Sequence, residues 1–362
     1  ERRKLLPEAD VLDGLSLASV LPGPTAINVI AYVGYRLRGA AGAAVCVCAS
    51  VLPAFVFMIL FSLAYFRWGQ IPAVGKAFMG VVPAVAAIIM AAAWRMWRTS
   101  VMTLRECALA VGAATAMLGF AGIYVTLVVL GTAATAGYWW FGTPTQKNQA
   151  LRTEQADRPS IARHPILRAN VRLLLLAALP ALFAPLPDFE PGPLLKLFGA
   201  FASMSMLMFG GGYVFIPLLQ KSVVDGHGWV TRQEFIDALA LGQVTPGPAM
   251  ISATFIGYKV AGLAGAAAAT IGMFAPTAVL AVLCARMLAR IKGSVNVQAA
   301  LRGVRAAAIG MVFAAAVSIG KSAEPHWISI ALFATTSIML LRYRVEAVWI
   351  VPAAGLIGFL FY

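Results

Sequence analysis

Leu21-Pro22-Gly23-Pro24-Thr25 breaks one long apolar segment, and Thr245-Pro246-Gly247-Pro248 breaks a second in the same register 224 residues later. Proline has no backbone N–H and its ring clashes with the preceding turn, so a Pro-Gly-Pro triplet interrupts a helix. In lipid such a break is tolerated only where the freed backbone groups are buried in protein or line a wet cavity. Interrupted helices at matching places in two repeats therefore mark a candidate transport site.

The composition sets the solvent. Of the 362 residues, 61% are hydrophobic and 12% charged, with a mean hydropathy of +0.84, against roughly 25% charged in a soluble domain. The chain reads as an all-α polytopic membrane protein. Its formal charge of +14 is divided among short basic clusters between apolar runs, which is how topology signals are distributed, and this argues against a nucleic-acid surface. Cys46, Cys48 and Cys284 fall inside apolar runs and Cys107 near the edge of another, so no disulfide framework is expected. Cys46 and Cys48 point about 200° apart on a helix, a poor chelate. No P-loop or metalloprotease motif is present, and Gly210-Gly211-Gly212 lacks the strand-to-helix setting of a dinucleotide fingerprint. No metal, cofactor or catalytic residue is expected. The chain opens Glu1-Arg2-Arg3-Lys4 without Met, and reads as lacking its start.

A shift of 224 aligns Asp13 with Asp237, Leu15 with Leu239 and Pro22-Gly23-Pro24 with Pro246-Gly247-Pro248. After one gap a shift of 223 aligns Gly34-Tyr35 with Gly257-Tyr258, Gly39 with Gly262, Pro53 with Pro276 and Gly80 with Gly303. The chain is a duplication. An apolar run from Leu194 to Leu219 precedes the second copy and has no counterpart before the first. The spacing predicts interrupted spans at 9–35 and 232–258 and continuous ones at 40–66, 77–94, 262–285 and 298–320. Further spans are expected at 105–120, 122–141, 169–187, 326–341 and 345–362. The expected division is a first repeat at 1–141, lacking its first helix, a basic cytoplasmic linker with a connecting span at 142–193, and a second repeat at 194–362.

The extra span would turn one half over relative to the other, giving two homologous inverted-topology repeats with broken helices. Loop charge moves with that inversion: Arg36 and Arg38 are replaced by Lys259 alone, whereas Arg67 and Lys76 give way to Arg286, Arg290, Lys292, Arg302 and Arg305. Arg2, Arg3 and Lys4 run against it, because an interrupted span at 9–35 leaves them outside.

Leu21-Pro22-Gly23-Pro24-Thr25-Ala26-Ile27-Asn28, Tyr32-Val33-Gly34-Tyr35, Phe209-Gly210-Gly211-Gly212, Gly228-Trp229-Val230-Thr231, Leu241-Gly242-Gln243-Val244-Thr245-Pro246-Gly247-Pro248 and Ala253-Thr254-Phe255-Ile256-Gly257-Tyr258 occur in order through a duplicated frame. Together they make the chain resemble the chromate ion transporter family, in its long two-domain form, over nearly its whole length. The resemblance implies a multi-pass bacterial inner-membrane protein with antiparallel halves that exports chromate. It departs from the long form in lacking the first helix with its own Phe-Gly-Gly-Gly.

A tetrahedral dianion in a membrane needs hydrogen-bond donors and positive potential, and a half-helix N-terminus supplies both. Pro24 and Pro248 suit the first turn of such a half-helix, Gly23 and Gly247 allow close backbone approach, and Asn28, Gln243, Thr245 and Ser252 add side-chain donors. Pro22 and Pro246 complete the two breaks. The competing reading is a plain kink packed by neighbours. Gly210, Gly211 and Gly212 lie within an apolar run, where something must approach the backbone, either a packed helix or the ion. Arg302 and Arg305 align with Met79 and Val82 of an uncharged span, which suits either an ion path or arginines snorkelling to the surface. Asp10 with Asp13, and Glu234 with Asp237, each place two acids on one helix face and are candidates for proton coupling or for helix capping. The partners in view are chromate or a similar oxyanion, the lipid bilayer and, for a homodimer, a second copy of the chain; nucleic acid is not among them. A transporter of sulfate or another tetrahedral oxyanion fits the same residues. An intramembrane enzyme would need a His, Cys and carboxylate cluster at depth, yet His164, His227 and His326 all fall between apolar runs. A scaffold subunit would not need duplicated breaks.

Overall fold

Sharp turns at Gly39 and Gly262 divide the longest helix of each half. The computed structural model describes residues 14, 18, 21–68, 71–120, 123–141, 192–208, 212–285, 295–323 and 326–362. Among the described residues there is no strand. The first half holds α1 (Thr25–Trp68), α2 (Pro72–Ser100), α3 (Leu104–Gly119) and α4 (Ile123–Phe141). Then come α5 (Pro193–Leu207), α6 (Phe215–Leu219) and α7 (Arg232–Val244), followed by α8 (Ser252–Ala285), α9 (Val295–Gly320), α10 (Trp327–Leu341) and α11 (Ala347–Phe361). The expected linker and the span at 169–187 lie outside the described residues.

Repeat-related residues adopt the same unusual backbone. Arg38 (φ −146°, ψ 32°) and Gly39 (φ 63°, ψ −153°) leave the helical region inside α1, as Ala261 (φ −146°, ψ 33°) and Gly262 (φ 59°, ψ −147°) do inside α8. The positive φ is cheap only for glycine. The chain doubles back there. A Cβ on Gly34 would stand 2.5 Å from the Gly42 carbonyl oxygen, whereas eight residues of straight helix would separate the two by about 12 Å. Gly257 meets Gly265 and Ala269 in the same way. Glycines at these positions let the two arms touch through their backbones.

The halves pack crosswise. Trp97 meets Phe313 with ring centroids 5.9 Å apart, and Ala86 meets Gly320, so α2 and its repeat partner α9 run antiparallel. α3 lies along α9, with Glu106 at Arg302 and Ala110 against Gly310, and α10 lies along α2, with the Arg95 guanidinium on the Leu340 carbonyl. Gly303 packs on Gly137 of α4, and its counterpart Gly80 packs on Gly358 of α11. One core runs between the halves, anchored by the fully buried Phe201, Phe215, Phe235 and Phe255. Large apolar side chains face outward, among them Leu52, Leu63, Trp139, Leu263, Leu283 and Leu360. That surface suits lipid, since a water-soluble monomer rarely exposes a contiguous apolar patch of this kind. Among the described residues four helical stretches are long and apolar enough to cross a membrane: Thr25–Trp68, Val74–Ser100, Ala249–Ala285 and Gln298–Gly320.

Candidate functional site

The segment at 232–258, expected to cross as one interrupted span, instead folds back on itself. Lys259 donates to Glu234 Oε1 at 2.6 Å, although the 25 residues between them would span about 37 Å in a continuous helix. At the other end of the hairpin, a Cβ on Gly242 would lie 3.0 Å from the Ala249 carbonyl oxygen. α7 is therefore one arm, the start of α8 the other, and Thr245 to Pro248 the tip. Thr245 closes the first arm, its hydroxyl donating to the Gly242 carbonyl at 2.9 Å. The first half does the same: Gly14 packs against the Tyr32 ring, and Asn28 Nδ2 donates across the break to the Pro22 carbonyl at 2.8 Å. Proline and a glycine of positive φ at each break, 97° at Gly23 and 155° at Gly247, turn the chain where a simple kink would have carried it on.

The tips are held by reciprocal contacts. A Cβ on Gly23 would overlap Thr277, and one on Gly247 would lie 2.7 Å from the Ala54 Cβ. Ala54 and Thr277 are repeat partners, so each tip rests on the same point of the other half's long helix. Ala54 stands about 21 Å along that helix from Ala40. Farther along, Tyr65 donates to Asp237 Oδ2 at 2.7 Å, and Phe66 stacks on Tyr258 at 6.0 Å. The long arm of α1 thus starts at the mouth of the first hairpin, passes the tip of the second midway and finishes at the mouth of the second. The two hairpins open at opposite ends, which we call the Gly39 end and the Gly262 end, and their tips lie at the middle.

The residues on either side of the glycine run reach the two tips. The Gly23 N–H donates to the Met208 carbonyl at 2.6 Å, immediately before that run, and the Tyr213 hydroxyl, immediately after it, reaches Gln243 Oε1 at 3.4 Å. Gly210 and Gly211 lie outside the described residues, and Gly212 begins a 3₁₀ turn, Gly212–Val214. The chain then returns toward the Gly262 end, where Trp229 stacks on Phe201 at 6.4 Å. The expected single span 194–219 is thus a third hairpin with α5 and α6 as arms. In the connection to α7, burial and then the nearby Lys196 hold the His227 imidazole below its ordinary pKa.

Polar groups concentrate at the tips. Asn28 is buried, and its Oδ1 has no partner among the described residues. Thr245 and Ser252 are buried too, but the Ser252 hydroxyl is directed at the Ala249 carbonyl at 3.2 Å, so both hydroxyls serve their own backbone first. The second arm of each hairpin begins at its tip, and its first N–H groups, with the positive end of its dipole, face the middle of the molecule. Pro22, Gly23, Pro24, Asn28, Gln243, Thr245, Pro246, Gly247, Pro248 and Ser252 are brought together there, with Gly212 alongside.

Arg302 is not. It forms an ion pair with Glu106 at 2.5 Å and sits 4.5 Å over the Phe141 ring, at the Gly39 end. The 20 residues from Arg302 to Ser322, which lines a cavity at the Gly262 end, correspond to about 30 Å of helix. Arg305 lies one turn deeper and is half-buried. The repeat alignment placed both at span depth but could not show that Glu106 caps α3 there, with Thr103 as its partner. Thr103-x-x-Glu106 is a capping-box pattern legible in the sequence.

The acids divide as well. Glu234 is the capping-box residue of α7 with Thr231 and is held by Lys259, so capping describes it. Asp237 is buried, accepts from Gln233 at 2.8 Å as well as from Tyr65, and lines a cavity of about 300 Å³ with Met79, Ser322 and Tyr362. Asp10 and Asp13 lie outside the described residues. The partners Tyr65, Gln233, Lys259, Ala54 and Thr277 carried no sequence signal beyond their own register.

A family model described as chromate transporter matches residues 1–138 and 195–359. The chain is 30% identical to the chromate transport protein of Cupriavidus metallidurans over all of this chain and 86% of the relative. It is 30% identical to a probable chromate transport protein of Synechococcus elongatus over all of this chain and 88% of the relative. With the chromate transport protein of Pseudomonas aeruginosa the identity is 28% over 96% of this chain and 81% of the relative. No solved structure matches it. On the family match and on full-length similarity to these relatives, the chain belongs to the chromate transporter family.

Proposed function

We propose that the protein is a secondary transporter that exports chromate across the bacterial inner membrane, with the oxyanion held between the two Pro-Gly-Pro tips and the glycine run. The observation that carries this reading is the convergence of two helix N-termini, one from each half, on one buried place midway along the molecule. A dianion there meets unpaired N–H groups and dipole ends without a full countercharge in the protein. Hairpins that open at opposite ends suit alternating access, in which the site faces one end and then the other.

The Gly39 end is assigned to the cytoplasm. Among the described residues it carries nine basic and two acidic side chains, +7, and the Gly262 end seven basic and three acidic, +4, which is the sense of the positive-inside rule. The halves are then inverted repeats, each built on a re-entrant hairpin. Asp237, buried beside a cavity at the outer end, is the candidate proton carrier, and Asp13 occupies the matching position in the first half. The repeats are assigned to 1–141 and 194–362.

Sulfate or another tetrahedral dianion fits the same donors, so the deciding experiment is counterflow of labelled chromate in proteoliposomes with sulfate as competitor. Chromate exchange that excess sulfate leaves intact supports the chromate reading; equal competition by sulfate moves the assignment to a general oxyanion carrier; absence of exchange contradicts transport.

A further inference from the structure

We propose a second oxyanion seat, distinct from the tips, in the cavity of about 320 Å³ at the Gly262 end lined by Gln220, Lys221, Asp225, Arg232, Ser318 and Lys321. It rests on the transport reading and adds a waiting place for the ion on the side opposite the arginine-rich end. Neither the repeat alignment nor the Pro-Gly-Pro breaks point to it.

Three observations build the seat. First, the chain leaving α6 widens into a π-helix, Gln220–Gly226, with the His227 N–H bonded to the Ser222 carbonyl at 2.8 Å. Such turns are rare and cluster at functional sites. This one brings Gln220 and Lys221 to the wall of the cavity. Second, the polar groups reach inward. Gln220 is only 6% exposed, and its Nε2 donates to Ser318 Oγ at 3.3 Å; the Lys221 side chain is 14% exposed and reaches Asp225 at 3.4 Å. Third, the charge matches: Lys221, Arg232 and Lys321 less Asp225 leave +2 on the lining, the complement of a dianion.

The cavity lies beside the arm of chain that leaves the tips. Pro217 lines it, five residues beyond Gly212, where the glycine run ends and the α6 arm begins. An ion leaving the tips along that arm passes Pro217 and reaches Lys221 and Arg232 at the surface. The opposing Ser318 belongs to α9 and Lys321 directly follows it, and Met117 to Phe120 at the end of α3 line the same cavity, so the seat lies where the two halves meet. An ion held there is exchanged with bulk water without having to enter the buried site in one step.

The test is the concentration dependence of labelled chromate flux in right-side-out and inverted vesicles, corrected for protein amount. Arg232→Gln and Lys321→Gln should each raise the half-saturation concentration about 3- to 10-fold for chromate presented at the Gly262 end and leave the opposite face unchanged. Lys321→Arg should restore it. Asp225→Asn, which takes the lining from +2 to +3, should lower it. Reconstitution in phosphatidylcholine with and without phosphatidylglycerol separates a lipid headgroup from the free ion: the shifts should be the same in both. Shifts seen only with phosphatidylglycerol, or equal shifts on both faces, overturn the seat, as do unchanged half-saturation values in all three charge-removing variants. Wild-type protein without flux in either vesicle type contradicts transport itself and is thereby distinguished from failure of the seat alone.

Discussion

At the Gly262 end Asp237 is hydrogen-bonded by Tyr65 and Gln233 in a cavity that also holds Met79, Val82 and Tyr362. At the Gly39 end the positions matching Met79, Val82 and Tyr362 are Arg302, Arg305 and Phe141. The Ser329 and Tyr362 hydroxyls meet at 2.5 Å at one end; at the other, the residue matching Ser329 is Glu106, which pairs with Arg302 above the Phe141 ring. Backbone geometry was kept through the duplication, down to the dihedrals of Arg38 and Ala261, while the charged groups diverged. On the proposed reading, equivalent hinges let the halves exchange roles, and unequal mouths let the ion and the proton be handled at chosen ends.

The largest effect expected from breaking the shared part is at the tips. Gly23→Leu or Gly247→Leu should abolish chromate flux while the protein stays in the membrane, and transport retained by both at normal abundance would exclude the tips as the site. Alanine sharpens the comparison. Gly247→Ala meets the Ala54 Cβ at 2.7 Å and takes a φ of 155° that L residues rarely adopt, so adding Ala54→Gly should relieve the overlap and return only a small part of the flux. Gly23→Ala also suffers φ of 97°, and Thr277→Gly should not rescue it, because removing the neighbour leaves the backbone strain.

Next in size are the groups that differ. Asp237→Asn should uncouple flux from an imposed pH gradient and slow it by roughly 100-fold, on the scale of lost acid–base function; Tyr65→Phe should keep coupling and lose less. A normal response to the gradient in Asp237→Asn would remove it as the proton carrier. At the Gly39 end, Arg305→Gln should weaken chromate affinity more than Arg305→Lys, since the ammonium keeps the charge but not the planar fork. Arg302, held by Glu106, should respond less than Arg305, and equal, unaltered affinity in all of these variants would assign the pair to snorkelling. Smallest should be the hinges. A Cβ on Gly39 or Gly262 meets nothing within 4 Å, so Gly39→Ala and Gly262→Ala should each cost only the strain of a backbone region that is essentially restricted to glycine, about 1–3 kcal/mol. Thermal unfolding in detergent checks whether the two losses are equal.

The breaks and the duplication were legible because Pro-Gly-Pro is chemically conspicuous in an apolar segment, and two copies in one register cannot both be incidental. The spans at 40–66, 77–94, 262–285 and 298–320 were legible for the same reason of length and apolarity, and helices occupy all four. The reversal was not legible. Proline and glycine supply the torsions for a kink or a turn alike, and the choice rests on contacts such as Glu234 with Lys259, 25 residues apart, that local pattern does not encode. Arg302 shows the same limit: the alignment set its depth along α9, but its partner Glu106 comes from the other half.

The central claim is that each Pro-Gly-Pro segment is the tip of a hairpin and that the two hairpins open on opposite faces. Single cysteines at Thr231, Ala261 and Ala40 in a Cys-less chain, labelled with a membrane-impermeant thiol reagent in intact cells and in inverted vesicles, test it directly. The account predicts that Thr231→Cys and Ala261→Cys label from the same side and Ala40→Cys from the other. Labelling of Thr231→Cys and Ala261→Cys from opposite sides would show that the segment crosses the membrane, and labelling of Ala40→Cys from the same side as Ala261→Cys would show that the halves are not inverted.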